Sequence, residues 1–115
     1  MIDEEFLRRY EAWKRYVEED PSCQLASSDT PFIDNPPFRA IIDLGPDAVP
    51  AIMASLFRDD LSHFLHHALR ELVDHEFSPE DRAAAIQLFG HFGNQAECGL
   101  WLGWWIKNRE RYRRQ

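Results

Sequence analysis

His63 and His67 stand four residues apart in the run Leu61-Ser62-His63-Phe64-Leu65-His66-His67-Ala68. On an α-helix that spacing stacks two imidazoles one turn apart on one face. Such a pair could hold a divalent metal ion, with Glu71 a further turn along. A metal site needs a third and usually a fourth ligand, and no His-Glu-x-x-His motif or cysteine cluster provides the familiar arrangement. Helical geometry also places His63, His67 and Asp74 on a polar face opposite Phe64, Ala68 and Leu72, so a solvated face accounts for them without any ion. A metal-dependent enzyme using His63, His67 and nearby carboxylates is the alternative reading, and no cofactor is assigned.

Other catalytic constellations are missing from the sequence. There is no Gly-x-Ser-x-Gly elbow and no phosphate-binding glycine motif. Cys23 and Cys98 match no metal-ligand or redox spacing and read as reduced structural thiols. Asp59-Asp60 and Glu18-Glu19-Asp20 fall where helices start or stop, and capping and solvation explain them. No catalytic residue is assigned, and the expectation is a protein that is not an enzyme.

The segment Leu100-Trp101-Leu102-Gly103-Trp104-Trp105-Ile106 is the most unusual feature. At about 100° per residue, its apolar side chains and Cys98 cover roughly 240° of a helix, whereas one-sided packing needs only about 100°. Gly99, Gly103 and Lys107 share the remaining arc, and two glycines four apart let another backbone approach closely. Either this helix fills the middle of the fold, under the aromatic face of the first helix and Phe89 and Phe92, or it is shared with a partner. In the second case Trp101, Trp104 and Trp105 are the anchoring residues, since aromatics are enriched at binding hot spots.

Charge narrows the range of partners. The formal charge is −7, with −11 over residues 1–106 and +4 over 107–115. An acidic body repels a nucleic-acid backbone, so nucleic acid is an unlikely partner. The basic residues Lys107, Arg109, Arg111, Arg113 and Arg114 suit the negative end of a helix dipole. The acidity also admits an inhibitor that mimics nucleic acid. The N-terminus lacks the basic and apolar regions of a secretion signal. The longest apolar run is far short of the roughly 20 residues that cross a bilayer. The expectation is a cytoplasmic protein with no membrane association.

The elements that must position these residues are helices. Eleven residues are Val, Ile or Thr against twenty-two Leu and Ala, in a chain of 115 residues that suits one core. Phe6, Tyr10, Trp13 and Val17 recur at three- and four-residue steps and predict a helix over about 4–18. Its outer face carries Glu4 with Arg8 and Glu11 with Arg15. Four prolines between 20 and 37 predict a loop, fixed to the body by Phe32 and Ile33. A short helix capped by Asn35 ends at Gly45, and a third runs from 46 or 47 to about 57. A fourth runs from about 60 to 74 behind Asp59, Asp60 and Ser62. A fifth spans about 79–92 behind Ser78-Pro79-Glu80-Asp81, and the last runs from near 95 to about 113. One domain over residues 1–115 is expected.

Leu44-Gly45-Pro46-Asp47-Ala48-Val49-Pro50-Ala51-Ile52, with Leu56, Asp59 and then Ala68-Leu69-Arg70-Glu71-Leu72, resembles the HEAT-like repeat of the phycobilisome-lyase type over about residues 38–73. The resemblance implies two antiparallel helices, the first opened by Ala-Val-Pro-Ala and the second packed through Ala68-Leu69, with no catalytic role. One repeat without further copies implies no extended solenoid surface. The chain is also similar to small bacterial proteins that end in a tryptophan-rich helix. The fold expected is an all-α compact bundle of about six helices with the HEAT-like pair at its centre. The function expected is a protein-protein interaction module, of adaptor, immunity or regulatory type, that binds a protein partner or itself.

Overall fold

Asp3, Glu4 and Glu5 open helix α1 (Ile2–Glu19), where carboxylates oppose the positive end of the helix dipole. Its inner face is the one the periodicity predicts: Phe6, Tyr10, Trp13 and Val17 are all buried. On the outer face Glu5, not Glu4, takes Arg8, and it also takes Arg9 at 2.8 Å. Arg9 in turn donates to the Ala40 carbonyl at 2.6 Å. Arg9 thereby links α1 to the next long helix. The computed structural model describes residues 2–89 and 93–112, and among these there is no strand. The fold is all-α, with six helices of seven residues or more among the described residues.

The predicted loop over 20–37 contains two single turns of helix, α2 (Pro21–Gln24) and α3 (Thr30–Ile33). Both carry proline in the first turn, where the missing N–H is no loss. The segment is tied down as Phe32 suggested. Trp13 Nε1 donates to the Phe32 carbonyl at 2.7 Å, and the Phe32 and Phe64 rings stack 4.5 Å apart. Buried Asn35 joins it to the next helix. Its amide nitrogen donates to the Pro31 and Phe32 carbonyls, while its oxygen accepts from the Phe38 N–H at 2.9 Å and caps α4 (Pro36–Ile42).

Gly45, at φ +81°, turns the chain out of α4 in a conformation that side chains resist. A 3-10 turn (Pro46–Ala48) leads into α5 (Val49–Ser55), which accommodates Pro50 in its first turn. The continuous fourth helix expected over about 60–74 is instead a 3-10 turn (Leu61–Leu65) followed by α6 (His66–Leu72). Local hydrogen bonding explains the tight start. Asp59 Oδ1 accepts from the Ser62 N–H at 3.0 Å, and the Ser62 hydroxyl donates back to the Asp59 and Leu56 carbonyls. Of the positions that carry the family resemblance, Ala48, Val49, Ile52, Leu56, Ala68 and Leu69 are all fully buried.

Ser78 and Asp81 cap α7 (Pro79–Phe89) reciprocally, with the Asp81 N–H donating to Ser78 Oγ at 3.0 Å. Residues 90–92, over which the fifth helix was expected to continue, lie outside the described part. The last helix, α8 (Asn94–Asn108), tightens into a 3-10 turn (Arg109–Tyr112) before its expected end, and Arg113 and Arg114 lie outside the described residues. Asn108 donates to the Trp104 carbonyl at 2.8 Å and so satisfies an acceptor of the final turn.

Packing follows the apolar faces. α1 lies on α4, α7 lies on α8, and α5 and α6 join the two pairs. The result measures 38 × 38 × 21 Å. The aromatic face of α1 therefore covers α4 and the turn before α6, with Trp13 5.4 Å from Phe38 and 6.4 Å from Phe64. It packs more on these than on α8, which it was expected to cover. Among the described residues no helix is long and apolar enough to cross a membrane.

Candidate functional site

The tryptophan segment divides by depth. Trp101 and Trp104 are 1% and 5% exposed, so neither presents the surface to a partner that the sequence suggested, and both belong to the core. Trp105 is half-buried. Phe77 meets Trp101 edge-on at 4.9 Å, Trp101 meets Trp104 at 5.4 Å, and Tyr112 closes over Trp104 and Trp105. Phe77 and Tyr112 are thus covering groups that the sequence expectation, which looked to the first helix and to Phe89 and Phe92, did not name. The Phe89 side chain and Phe92 lie outside the described part.

The excess apolar circumference is real, but it is aliphatic. Ile106 is 60% exposed, Leu102 is also exposed, and Leu88 on α7 is 79% exposed. Between α7 and α8 lies a cleft of about 270 Å³, lined by Phe77, Ala85, Leu88, Gly103 and Trp104 among others. Gly103 is unusual in this setting. A Cβ built there meets nothing within 4 Å among the described residues, so its smallness serves no close approach among them. Arg82 of α7 bridges to Glu97 of α8 at 2.6 Å and holds the two helices together.

The histidines are rearranged relative to the expected pair. A 3-10 helix advances about 120° per residue, against about 100° in an α-helix, so the turn over Leu61–Leu65 takes His63 off the face of His67. His63 lies edge-on to Phe57 at 5.7 Å, and its carbonyl accepts from Cys98 Sγ. Glu71 pairs with Arg39 at 2.8 Å. The ligand set His63, His67 and Glu71 is therefore not assembled. In its place His66, His67 and Asp29 come together, each with one ligand atom within 4.8 Å of the others.

His67 Nε2 lies 3.0 Å from Asp29 Oδ2. The His66 and His67 rings are 4.0 Å apart. His66 is 3% exposed, and its Nε2 lies 2.7 Å from the side-chain oxygen of Asn94, the first residue of α8. Among the described residues its Nδ1 is buried without a hydrogen-bond partner. Burial pushes the His66 imidazole down to about 4, against the upward pull of the Asn94 hydrogen bond. Sequence spacing pointed to position 63 instead of 66. Asp29, in the predicted loop, carried no signal beyond being a carboxylate.

Neither cysteine is an activated nucleophile. Both are buried free thiols, and burial pushes Cys98 up to about 12 and also raises Cys23. A second polar group, Tyr10, Lys14, Asp59 and Ser62, links α1 to the turn before α6. The basic residues Arg109 and Arg111 sit exposed on the terminal 3-10 turn, where Arg111 donates to Asn108. Compared with family models, curated proteins and solved structures, the chain matches none.

Proposed function

We propose that this chain is a non-enzymatic protein-binding module that receives a helix of a protein partner on the outer face of α8 and the neighbouring α7–α8 cleft. Gly103 carries this reading. Glycine inside a helix costs about 0.5–1 kcal/mol relative to alanine, and here no neighbour among the described residues requires it. An incoming helix does, because a position without Cβ lets two backbones approach. Leu102 and Ile106 flank it and Leu88 faces it across the cleft, supplying apolar area around the point of approach. The tryptophans support this surface from beneath, with Trp104 in the cleft floor. The HEAT-like pair over residues 38–73 acts as scaffold. Self-association is the same proposal with a second copy as the partner.

Two variants test it together. Gly103→Ala should stabilise the isolated chain by about 0.5–1 kcal/mol in urea melts, because the space is open, while weakening partner binding several-fold. Leu88→Glu with Ile106→Glu should leave the melting temperature nearly unchanged and abolish binding. Sedimentation velocity across concentrations reads self-association, and affinity capture from cells of origin reads a foreign partner. If both variants match the wild type in both assays, the face is not a docking surface.

A further inference from the structure

We propose that Asp29, His66 and His67 form a binding site for one divalent transition-metal ion of the zinc class, which clips the segment before α3 onto α6. Three observations converge on it. The ligand atoms lie within 4.8 Å of one another, so some point is within about 2.8 Å of all three. Zinc binds imidazole and carboxylate at about 2.0–2.2 Å, so side-chain shifts of less than about 1 Å complete the site. Two nitrogens and one carboxylate oxygen are the donors that zinc, nickel, cobalt and ferrous iron accept.

The second observation is the Nδ1 of His66. It sits on a ring 97% removed from solvent, in contact with the His67 ring, and has no hydrogen-bond partner among the described residues. Buried ring nitrogens are ordinarily satisfied, and a bound cation would satisfy this one. The third is Asn94. With its oxygen 2.7 Å from His66 Nε2, it accepts the Nε2–H and so leaves the lone pair of the neutral ring on Nδ1. A ligating histidine that donates its other N–H to a fixed oxygen is the usual outer support of a metal site. Asp29 and His67 are partly exposed, which gives an ion an entry path and room for water at the remaining positions. This site is separate from the α7–α8 cleft, and either proposal can fail alone.

The test titrates zinc chloride alone into the full chain after EDTA treatment and desalting, by calorimetry and thermal melting. One zinc per chain is expected, with the melting temperature rising by roughly 10 °C at a hundredfold excess over Kd. Cobalt chloride should give visible absorption bands that zinc removes. Asp29→Asn and His67→Gln, both at part-exposed positions, should fold by circular dichroism and lose at least about tenfold in affinity. Asn94→Leu should lose a similar factor, and His63→Gln should bind as the wild type does. Absence of saturable zinc binding overturns the proposal. So does binding that survives both Asp29→Asn and His67→Gln, or binding that depends on His63 and not on Asp29.

Discussion

Replacing Trp101 by alanine is expected to destabilise the chain by about 3–5 kcal/mol, the range for truncating a buried aromatic. Its ring is 1% exposed and packed against Phe77 and Trp104, so truncation leaves a cavity whose walls belong to separate elements. A domain of this size is stable by about 5–15 kcal/mol, and each kcal/mol moves its midpoint by about 4 °C. The melting temperature should therefore fall by about 12–20 °C. The half-buried neighbour Trp105 should lose about 1–2 kcal/mol on the same change, and exposed Ile106 less than about 0.5 kcal/mol. Trp101→Phe should be much milder than alanine, because it also removes an indole N–H that is buried without a partner among the described residues. Urea melts of the four variants check the order. A Trp101→Ala variant within about 1 kcal/mol of the wild type would contradict the enclosed position of that ring.

The second large effect is expected at Asp59. Its carboxylate accepts from Tyr10 Oη at 3.0 Å on both oxygens, pairs with Lys14 at 3.2 Å and caps the Ser62 amide at 3.0 Å. Asp59→Ala leaves the Tyr10 hydroxyl and the Ser62 N–H without these partners and should destabilise by about 2–4 kcal/mol. Desolvation, the largest single influence, raises the carboxyl pKa. The hydrogen bonds from Lys14, Tyr10 and Ser62 together outweigh it and hold the group below its ordinary range. The sign for stability follows. Because the folded pKa lies below the unfolded one, the contribution is present above the ordinary carboxylate pKa of 3.8 and is lost as pH falls through the lowered folded value. Asp59→Asn should accordingly flatten the acid limb of the stability curve below pH about 4. An unchanged acid limb in that variant would remove Asp59 from this role. Tyr10, whose pKa is pushed up by burial and then by Asp59, stays protonated across this window and remains a donor.

Much of this architecture is legible in local sequence. Phe6, Tyr10, Trp13 and Val17 announce the buried face of α1 through their spacing alone, because a helix repeats every 3.6 residues. Asn35, Gly45 and the Ser78–Asp81 box mark helix ends because capping involves atoms at most a few residues apart. The fourth helix shows where such reasoning stops. Its apolar pattern is correct, and Leu65, Ala68 and Leu69 are buried, yet the turn bonded by Asp59 and Ser62 winds its start as a 3-10 helix. That change of winding is invisible to a period count, and it turns His63 further from the face of His67.

Local sequence suffices for the class of the fold, the places of its longer helices and the surplus of apolar surface on the last one, since all three depend on residues within a turn or two of each other. The tertiary structure alone decided that Trp101 and Trp104 are enclosed while Leu88, Leu102 and Ile106 are left outside, and that Asp29 reaches His66 and His67. The physical reason is that these outcomes depend on how segments distant in the chain pack. Trp13 of α1 packs on Phe38 of α4, while Phe77 and Tyr112, from the segments before α7 and after α8, pack on Trp101 and Trp104. The anchoring of Phe32 by Trp13 holds the loop that carries Asp29 in place.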